Sequence, residues 1–557
     1  MTTSKPKPPR HKRNGGKDPT HGKTGAHEEH PKRHGKDQDG APRGRAREEN
    51  AGIASRRLAL YLVDAVFLKK RPFDDALAQS YKHPASAELS PRDRAFARLL
   101  AATVLRRHGQ LTAVLENFLD RPLPADGARA NLILLIGAAQ LMFLRSPPHA
   151  VIHTAVDLCR GDNRSARFRG LVNAVLRKVS QSGQELIAQQ ISTQQPARLN
   201  VPAWLMEGWT ATYGADLATS IAEASLGEAA LDITPQREAT RWAEALHGRE
   251  LATGSIRCEI DGRIDALAGY EEGAWWVQDA AAALPARLLG NLSGKKIADL
   301  CAAPGGKTAQ LVAGGAQVTA VDISPARISQ LATNLKRLKL EAELVCADVR
   351  EWSPEVAYDG ILLDAPCTAT GTIRRHPDIL HLKSATQMKQ LVILQAAMLD
   401  HVAEVLRPGA TLIYCTCSLE REEGLGQIER LLSLRTDFER VPILADEVGG
   451  QETLITAEGD IRTLPCFTPA LVFSSDRELE PAATEGYTQD AQSELSSAHD
   501  SEVSSAAGHD DATDSGSSAS EYSDQGESES PTGDSPPEDT MSVGMDGFFI
   551  CRLTKRA

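Results

Sequence analysis

The chain has 557 residues, enough for two or three domains that each bury their own core. Its net charge of −12 comes from one segment, because residues 476–540 hold 18 acidic residues and one basic residue, whereas residues 1–50 hold 13 basic and seven acidic residues. The rest is close to neutral, so the acidity does not exclude a nucleic-acid partner. Nine cysteines without a CxxC pair indicate free thiols in a reducing compartment, and the longest apolar run is too short for a membrane span; we expect a cytoplasmic protein.

The first 50 residues are rich in Pro, Gly, Lys, Arg and His and contain almost no large apolar side chain. Such a segment cannot bury enough surface to offset the entropy of ordering. The composition predicts a disordered basic tail over residues 1–50. It could contact RNA phosphates or be a solvated tail without a role, and the sequence leaves both open.

Residues 51–185 have a helical pattern throughout. Leu58, Leu62 and Val66 recur every four residues, and Ser90-Pro91 has the composition of a helix N-terminus. No long stretch alternates with period two, so we predict an all-α domain of five to seven helices. Residues 186–270 are mixed, with strand-like segments at 230–234 and 255–260, and predict a small α/β connector domain.

Strands and helices alternate from about residue 271 to residue 475, which predicts a doubly wound, parallel α/β sheet. The predicted strands are Lys296–Leu300, Gln317–Val321, Glu343–Ala347, Gly360–Leu363 and Thr411–Cys415; the predicted helices are Thr308–Val312, Pro325–Leu338 and Ala385–Leu406. Residues 476–540 predict a disordered acidic insertion. A single strand is not stable alone, so Gly547–Leu553, within residues 541–557, is expected to return as the last strand of the sheet.

The segment Asp299–Thr308 follows the first of these strands and opens a helix. Its paired glycines allow a ligand to approach the backbone, and a helix N-terminus offers free N–H groups to an anion such as a carboxylate. The segment is neither GxGxxG nor a P-loop, which argues against an NAD-dependent oxidoreductase. Asp322, Asp348 and Asp364 each end a strand on the same edge, where open α/β sheets bind ligands, and favour a nucleoside cofactor.

Two cysteine motifs follow the fourth and fifth strands, Asp364-Ala-Pro-Cys367 and Thr416-Cys417-Ser418. A thiolate adds readily to an electron-poor carbon. Addition to carbon 6 of cytosine makes carbon 5 nucleophilic enough to take a methyl group, and a nearby carboxylate can stabilise the ring. The two loops supply two thiols and one Asp for this chemistry, but the residues alone do not decide which cysteine attacks.

These motifs together resemble the RsmB (Sun, Fmu) family of bacterial 16S rRNA cytosine-C5 methyltransferases. The resemblance rests on DLCAAPGGKT, VDIS, DAPCTATGTIRRHPDI, YCTCSLEREE and MDGFFICRL, and the helical half is similar to NusB. It implies an all-α NusB-like domain, the connector and a Rossmann-like methyltransferase domain. It also implies a cytosine of 16S rRNA as substrate and S-adenosyl-L-methionine as cofactor. We expect no metal; the sequence does not give the oligomeric state, and a monomer is favoured.

The resemblance further implies roles for individual residues. Cys417 is the nucleophile, Cys367 assists breakdown of the adduct, and Asp364 is the third catalytic residue. The residues implied for the cofactor site are Cys301, Ala302, Ala303, Pro304, Gly305, Gly306, Lys307, Asp322, Asp348 and Asp364. The chain departs from the family pattern at Thr368, usually Ser, and at Gly424, usually Asn. Six of the other seven cysteines, 159, 258, 346, 551, 301 and 415, are expected to be buried apolar residues.

Basic residues mark two candidate RNA contacts. Arg374-Arg375-His376 follows the Pro-Cys loop and is placed to hold the target strand. In the helical domain the candidates for phosphate contacts are Arg106, Arg107, Arg167, Arg169, Arg177 and Lys178. Two alternatives remain: the same chemistry on tRNA or another rRNA, and a non-catalytic RNA-binding or antitermination factor.

Overall fold

The structure is a computed structural model that describes residues 43–82, 89–193, 196–259, 262–472 and 544–556. The predicted disorder of residues 1–42 and 476–540 therefore concerns residues outside the described part. Residues 43–50, which we assigned to the basic tail, are instead the start of the first helix. No helix in the described ranges combines the length and apolar character needed to cross a membrane.

The N-terminal domain is all-helical, as predicted. Its α-helices in the described ranges are α1 (Arg43–Phe67), α2 (Phe73–Tyr81), α3 (Pro91–Arg106), α4 (His108–Glu116), α5 (Ala128–Met142), α6 (Pro148–Arg160) and α7 (Arg169–Thr193). Ser90 caps α3 by accepting a hydrogen bond from the Asp93 backbone N–H at 3.1 Å, as the Ser-Pro motif predicts. α5 is mostly apolar, is buried along most of its length and packs in the domain core. A Cβ at Gly137 would lie 2.6 Å from Leu176 of α7, so the two helices pack closely because this residue has no side chain.

The connector begins with α8 (Pro196–Asn200), α9 (Ala203–Tyr213) and α10 (Ala215–Ser225). It continues into a small antiparallel sheet made of β1 (Leu231–Pro235), β2 (Arg249–Glu250), β3 (Ile256–Cys258) and β4 (Trp275–Val277), with α11 (Ala239–Ala245) after β1. β4 pairs with β1 although it lies beyond the predicted boundary at residue 270. Strand pairing, which the composition does not reveal, therefore extends the connector into the region that we assigned to the next domain.

The large sheet has the order β10-β12-β9-β8-β5-β6-β7, and β11 also pairs with β12. Its strands are β5 (Lys296–Leu300), β6 (Gln317–Asp322), β7 (Glu343–Cys346), β8 (Gly360–Asp364), β9 (Thr411–Thr416), β10 (Phe438–Arg440), β11 (Ile461–Arg462) and β12 (Phe549–Lys555). The flanking helices are α12 (Leu284–Arg287), α13 (Gly306–Ala313), α14 (Pro325–Leu338), α15 (Ile379–Leu382), α16 (Ala385–Val405) and α17 (Leu425–Leu434). All five predicted strands are present.

β5 to β9 are parallel, and the strand order reverses between β5 and β8. Ligands of open α/β sheets bind beyond the carboxyl ends of the strands at such a reversal. The C-terminal segment does return as a strand of this sheet, as predicted, but β12 runs antiparallel to β9 and β10. The five predicted strands are parallel, as expected, and the returning strand makes the sheet mixed.

Candidate active site

The loop after β5 leads into α13, and its backbone is shaped for a ligand. Gly305 has a φ of 107° and directly precedes α13, whose N-terminus has no side-chain cap. A Cβ at Gly305 would lie 2.9 Å from Leu331, so both the conformation and the space require glycine. The first N–H groups of α13 therefore remain available to an anionic group.

Lys307, in the first turn of α13, pairs with Asp364 at the end of β8, with Nζ and Oδ2 2.8 Å apart. Burial favours the neutral amine, but the attraction of Asp364 outweighs it and the pKa of Lys307 is raised. The other oxygen of Asp364 accepts from the Cys415 thiol at 3.5 Å. Asp364 is thus held from two sides, at the reversal point of the sheet.

The two motif cysteines meet at this edge: the Sγ atoms of Cys367 and Cys417 lie 3.5 Å apart. Both residues are half-buried. The hydrogen bond with Cys417, followed by burial, raises the pKa of the Cys367 thiol well above its usual range. Either thiol can donate to the other sulfur across this contact, an arrangement that suits a nucleophilic cysteine with an assisting thiol beside it.

A buried carboxylate that sequence reasoning missed lies behind both loops. Glu423 is fully buried, and its Oε1 accepts hydrogen bonds from the Thr368 backbone N–H at 3.0 Å and from Gln395 Nε2 at 3.0 Å. Its Oε2 accepts from Ser418 Oγ at 2.6 Å and from the Thr368 hydroxyl. The signal that could have revealed it is a hydroxyl residue directly after each motif cysteine, followed by an acidic residue shortly after the second.

The other two candidate aspartates are already paired in this structure. Asp322 is 1% exposed, and its Oδ2 contacts Arg327 at 3.1 Å and accepts from the Ala303 backbone N–H at 3.3 Å. Asp348 binds Arg350, and this hydrogen bond lowers the pKa of its carboxyl group. Each carboxylate retains lone pairs beyond these contacts, so ribose hydroxyl groups can donate to it as well.

The other cysteines are mostly core residues, as predicted. Cys159, Cys258, Cys415 and Cys551 are buried, and Cys301 is half-buried in the loop after β5. Cys346 is exposed, so the expectation that it is buried was wrong. It ends β7, which is the edge strand of the sheet and has a neighbour on one side only.

The prediction that residues 374–376 contact the target RNA strand was wrong for Arg374 and Arg375. The Arg374 side chain is 2% exposed and lies 3.5 Å from Asp546, while Arg375 binds both Asp279 at 2.6 Å and Asp546 at 2.8 Å. These ion pairs join the segment after the Pro-Cys loop to the residues before β12. His376 is partly exposed, but its Nδ1 pairs with Asp74 of α2 at 3.0 Å.

The candidate phosphate contacts in the helical domain differ in exposure. Arg106 is 8% exposed and donates to the backbone carbonyl of Arg374 at 2.7 Å, so it supports packing rather than RNA binding. Arg107 is half-buried, with its guanidinium 5.3 Å from the centre of the Phe143 ring. The remaining candidates are exposed and lie in or just before α7: Arg167, Arg169, Arg177 and Lys178.

The buried carboxyl of Asp299 makes a testable contribution to pH-dependent stability. Burial raises the pKa of Asp299 to about 7, although Thr308 Oγ1 donates to its Oδ2 at 2.6 Å. Between pH 4 and 7 the folded state therefore holds a proton that the unfolded chain has lost, and stability falls as the pH rises. We expect Asp299→Asn to remove this loss, on the order of a few kcal/mol.

The measurement is the melting temperature of the two proteins at pH 5 and pH 8. The melting temperature of the native protein should fall more between pH 5 and pH 8 than that of Asp299→Asn, because all other titrating groups are common to both. Parallel changes in the two proteins would contradict the raised pKa of Asp299.

S-Adenosyl-L-methionine fits the residues at this edge on two observations. The uncapped N-terminus of α13 suits a carboxylate, and Asp299 has a buried oxygen, Oδ1, without a hydrogen-bond partner in the structure. An unsatisfied buried acceptor of this kind indicates a missing donor, such as an ammonium group. Among the described residues, no three His, Cys, Asp or Glu side chains are grouped to hold a metal ion.

Two family models matched on this fold define the class of protein: a NusB-like helical domain followed by a Rossmann-like methyltransferase domain. The family model of the 16S rRNA methyltransferases RsmB/F matches residues 286–468, and the NusB family model matches residues 53–181. The solved structure of the protein PH0851 aligns with a TM-score of 0.62 at 18% identity, covering 91% of this chain and 99% of that one. At this identity the likeness concerns the fold.

Curated relatives place the chain within one family. It is 34% identical to the ribosomal RNA small subunit methyltransferase B of Cronobacter sakazakii, over 73% of this chain and 97% of the relative. It is 35% identical to the protein of the same name from Escherichia coli, over 67% of this chain and 90% of the relative. The chain belongs to the RsmB family of rRNA methyltransferases.

Proposed function

We propose that this enzyme methylates carbon 5 of one cytosine in 16S rRNA, with S-adenosyl-L-methionine as methyl donor, through a covalent adduct on Cys417. The observation that carries the proposal is the pair of thiols 3.5 Å apart at the carboxyl edge of the sheet. Methyl transfer to a nitrogen, to an oxygen or to a more nucleophilic carbon has no need for two thiols. Cytosine carbon 5 requires a nucleophile at carbon 6 and a base for the carbon-5 proton.

The residues divide this work between them. The Cys417 sulfur bonds to carbon 6 of the cytosine and the carbon 5–carbon 6 double bond opens. Ring nitrogen 3 takes up a proton, and carbon 5 becomes the nucleophilic carbon of an enamine. S-Adenosyl-L-methionine supplies an electrophilic methyl group. The proton on carbon 5 then leaves to a base, the carbon–sulfur bond breaks, and Cys417 departs as a thiolate; we assign assistance in this release to Cys367.

Asp364 and Lys307 are the charged pair of the site. Lys307 Nζ lies 2.8 Å from Asp364, and the Lys307 side chain is largely buried. A carboxylate held there can accept a hydrogen bond from the exocyclic amino group of cytosine and stabilise a proton at ring nitrogen 3 once the adduct forms. The loop 301–307 together with Asp322 and Asp348 is the proposed cofactor site, with the two carboxylates as acceptors for ribose hydroxyl groups.

RNA must present an unstacked base to this edge. The exposed basic residues at α7, rather than Arg374 and Arg375, are the proposed phosphate contacts, and they would add salt-dependent affinity with little base recognition. We place the reaction in the cytoplasm, on rRNA before the subunit is assembled. A monomer is sufficient, because both thiols and the proposed cofactor loop come from one chain.

The test is a methyl-transfer assay with tritiated S-adenosyl-L-methionine and rRNA lacking its natural methyl groups, followed by mapping of the product. We expect one 5-methylcytosine per 16S rRNA. Methyl transfer to tRNA or to 23S rRNA alone would show that this RNA, and not 16S rRNA, is the substrate. Transfer to no cytosine, with folded protein and intact RNA, would leave a non-catalytic RNA-binding role.

A further inference from the structure

The hydrogen bonds of Glu423 single out its Oε2 atom. Thr368 directly follows Cys367, and Ser418 directly follows Cys417. The hydroxyl groups of both residues donate to Glu423 Oε2, which no solvent reaches because the residue is fully buried. One carboxylate oxygen thus joins the two cysteine-bearing loops, one residue away from each thiol.

We propose that Glu423 is the positioning residue that sets the separation of the Cys367 and Cys417 thiols. Moving either loop away would break a hydrogen bond to a charged acceptor and leave a buried carboxylate short of donors. The hydrogen bonds of Glu423 go to neither sulfur, although its charge contributes to raising the pKa of the Cys367 thiol, and on the proposed function Glu423 would not touch the substrate. It acts through Thr368 and Ser418.

The donors and acceptors around Glu423 require a carboxylate. Oε1 receives the Thr368 N–H and a Gln395 N–H, while Oε2 receives two hydroxyl groups, so both atoms must accept. An amide of the same shape has one NH₂ group that only donates. In Glu423→Gln, the NH₂ group must replace one of the two oxygens. At the Oε1 position it would face two N–H donors, and at the Oε2 position it would face two hydroxyl groups, which would have to rotate away.

Backbone contacts are independent of this carboxylate. The Gly371 N–H donates to the Cys417 carbonyl at 2.9 Å, and the Gly547 N–H donates to the Gly371 carbonyl at 2.9 Å. A Cβ at Gly371 would lie 1.9 Å from the Gly547 carbonyl oxygen, so the backbone of the Pro-Cys loop is in direct contact with the backbone just before β12. Glu423→Gln should therefore fold, with the thiols less well placed.

The inference extends the proposed function, and its test does not require methyl transfer. The full-length protein is equilibrated with mixtures of oxidised and reduced dithiothreitol, and the Cys367–Cys417 disulfide is quantified by mass spectrometry after alkylation of free thiols. Two thiols lose two protons and two electrons to form the disulfide, and oxidised dithiothreitol takes them to become the dithiol. The equilibrium constant reports how closely the two thiols are held.

We expect Glu423→Gln to lower this constant by about tenfold or more, in line with the sensitivity of reactive pairs to small displacements. Glu422→Gln is the matched control, because Glu422 is the exposed neighbour and should give the native value. In the methylation assay the same variant should lower kcat with little change in KM for RNA. If Glu423→Gln lowers the disulfide constant but the native protein methylates no RNA, the positioning role of Glu423 stands and the proposed function is wrong.

Thr368→Val gives a second measurement that remains usable if Glu423→Gln does not fold. It removes one hydroxyl donor at almost constant volume and should also lower the disulfide constant. An unchanged constant in both variants, or a native protein that forms no Cys367–Cys417 disulfide, would overturn the positioning role of Glu423.

Discussion

Cys417→Ala is expected to abolish methyl transfer to RNA, with a loss of roughly 10⁴-fold or more, as is typical when the nucleophile of a covalent mechanism is removed. The reason is that carbon 5 of cytosine stays unreactive unless a sulfur adds to carbon 6. The measurement is the initial rate of tritium incorporation into rRNA under saturating cofactor. Binding of RNA should change little, because the deleted atom is one sulfur at the sheet edge.

Cys346→Ala provides the matched control for this prediction. Cys346 is exposed at the end of β7, outside the domain cores, and should retain the native rate. Activity of Cys417→Ala within about tenfold of the native protein would show that the adduct does not form on this residue, since a lost nucleophile costs far more.

Cys367→Ala is expected to behave differently and to accumulate a covalent protein–RNA species that survives denaturant. Without the thiol 3.5 Å from Cys417, the methylated adduct forms but decays slowly. Steady-state turnover should fall by about 10²-fold or more, the usual contribution of a positioned acid or base. The species is measured as a shifted band on a denaturing gel, with the methyl label in it.

The double variant Cys367→Ala, Cys417→Ala serves as the control and should show no shifted band. If instead Cys417→Ala accumulates the species and Cys367→Ala is inert, the two roles are reversed.

The amino-acid sequence alone was sufficient for the secondary structure near the site. The predicted helix Pro325–Leu338 agrees with α14 residue for residue, and β5 with Lys296–Leu300. Such elements are local: their apolar periods, caps and glycines act over a few residues. The position of the Pro-Cys and Thr-Cys-Ser motifs at the ends of adjacent parallel strands followed from the same alternation, and with it the meeting of Cys367 and Cys417.

Only the tertiary structure decided which charged residues are available to a ligand. Arg374 and Arg375 follow the Pro-Cys loop in sequence, but aspartates from residues 279 and 546, far away along the chain, bind them in the interior. Glu423 likewise accepts a hydrogen bond from Thr368, which lies 55 residues earlier in the chain. Burial and ion pairing depend on contacts between distant segments, which local patterns do not encode. The succession of strands along the chain, and the residue types at their ends, can be read directly from the sequence.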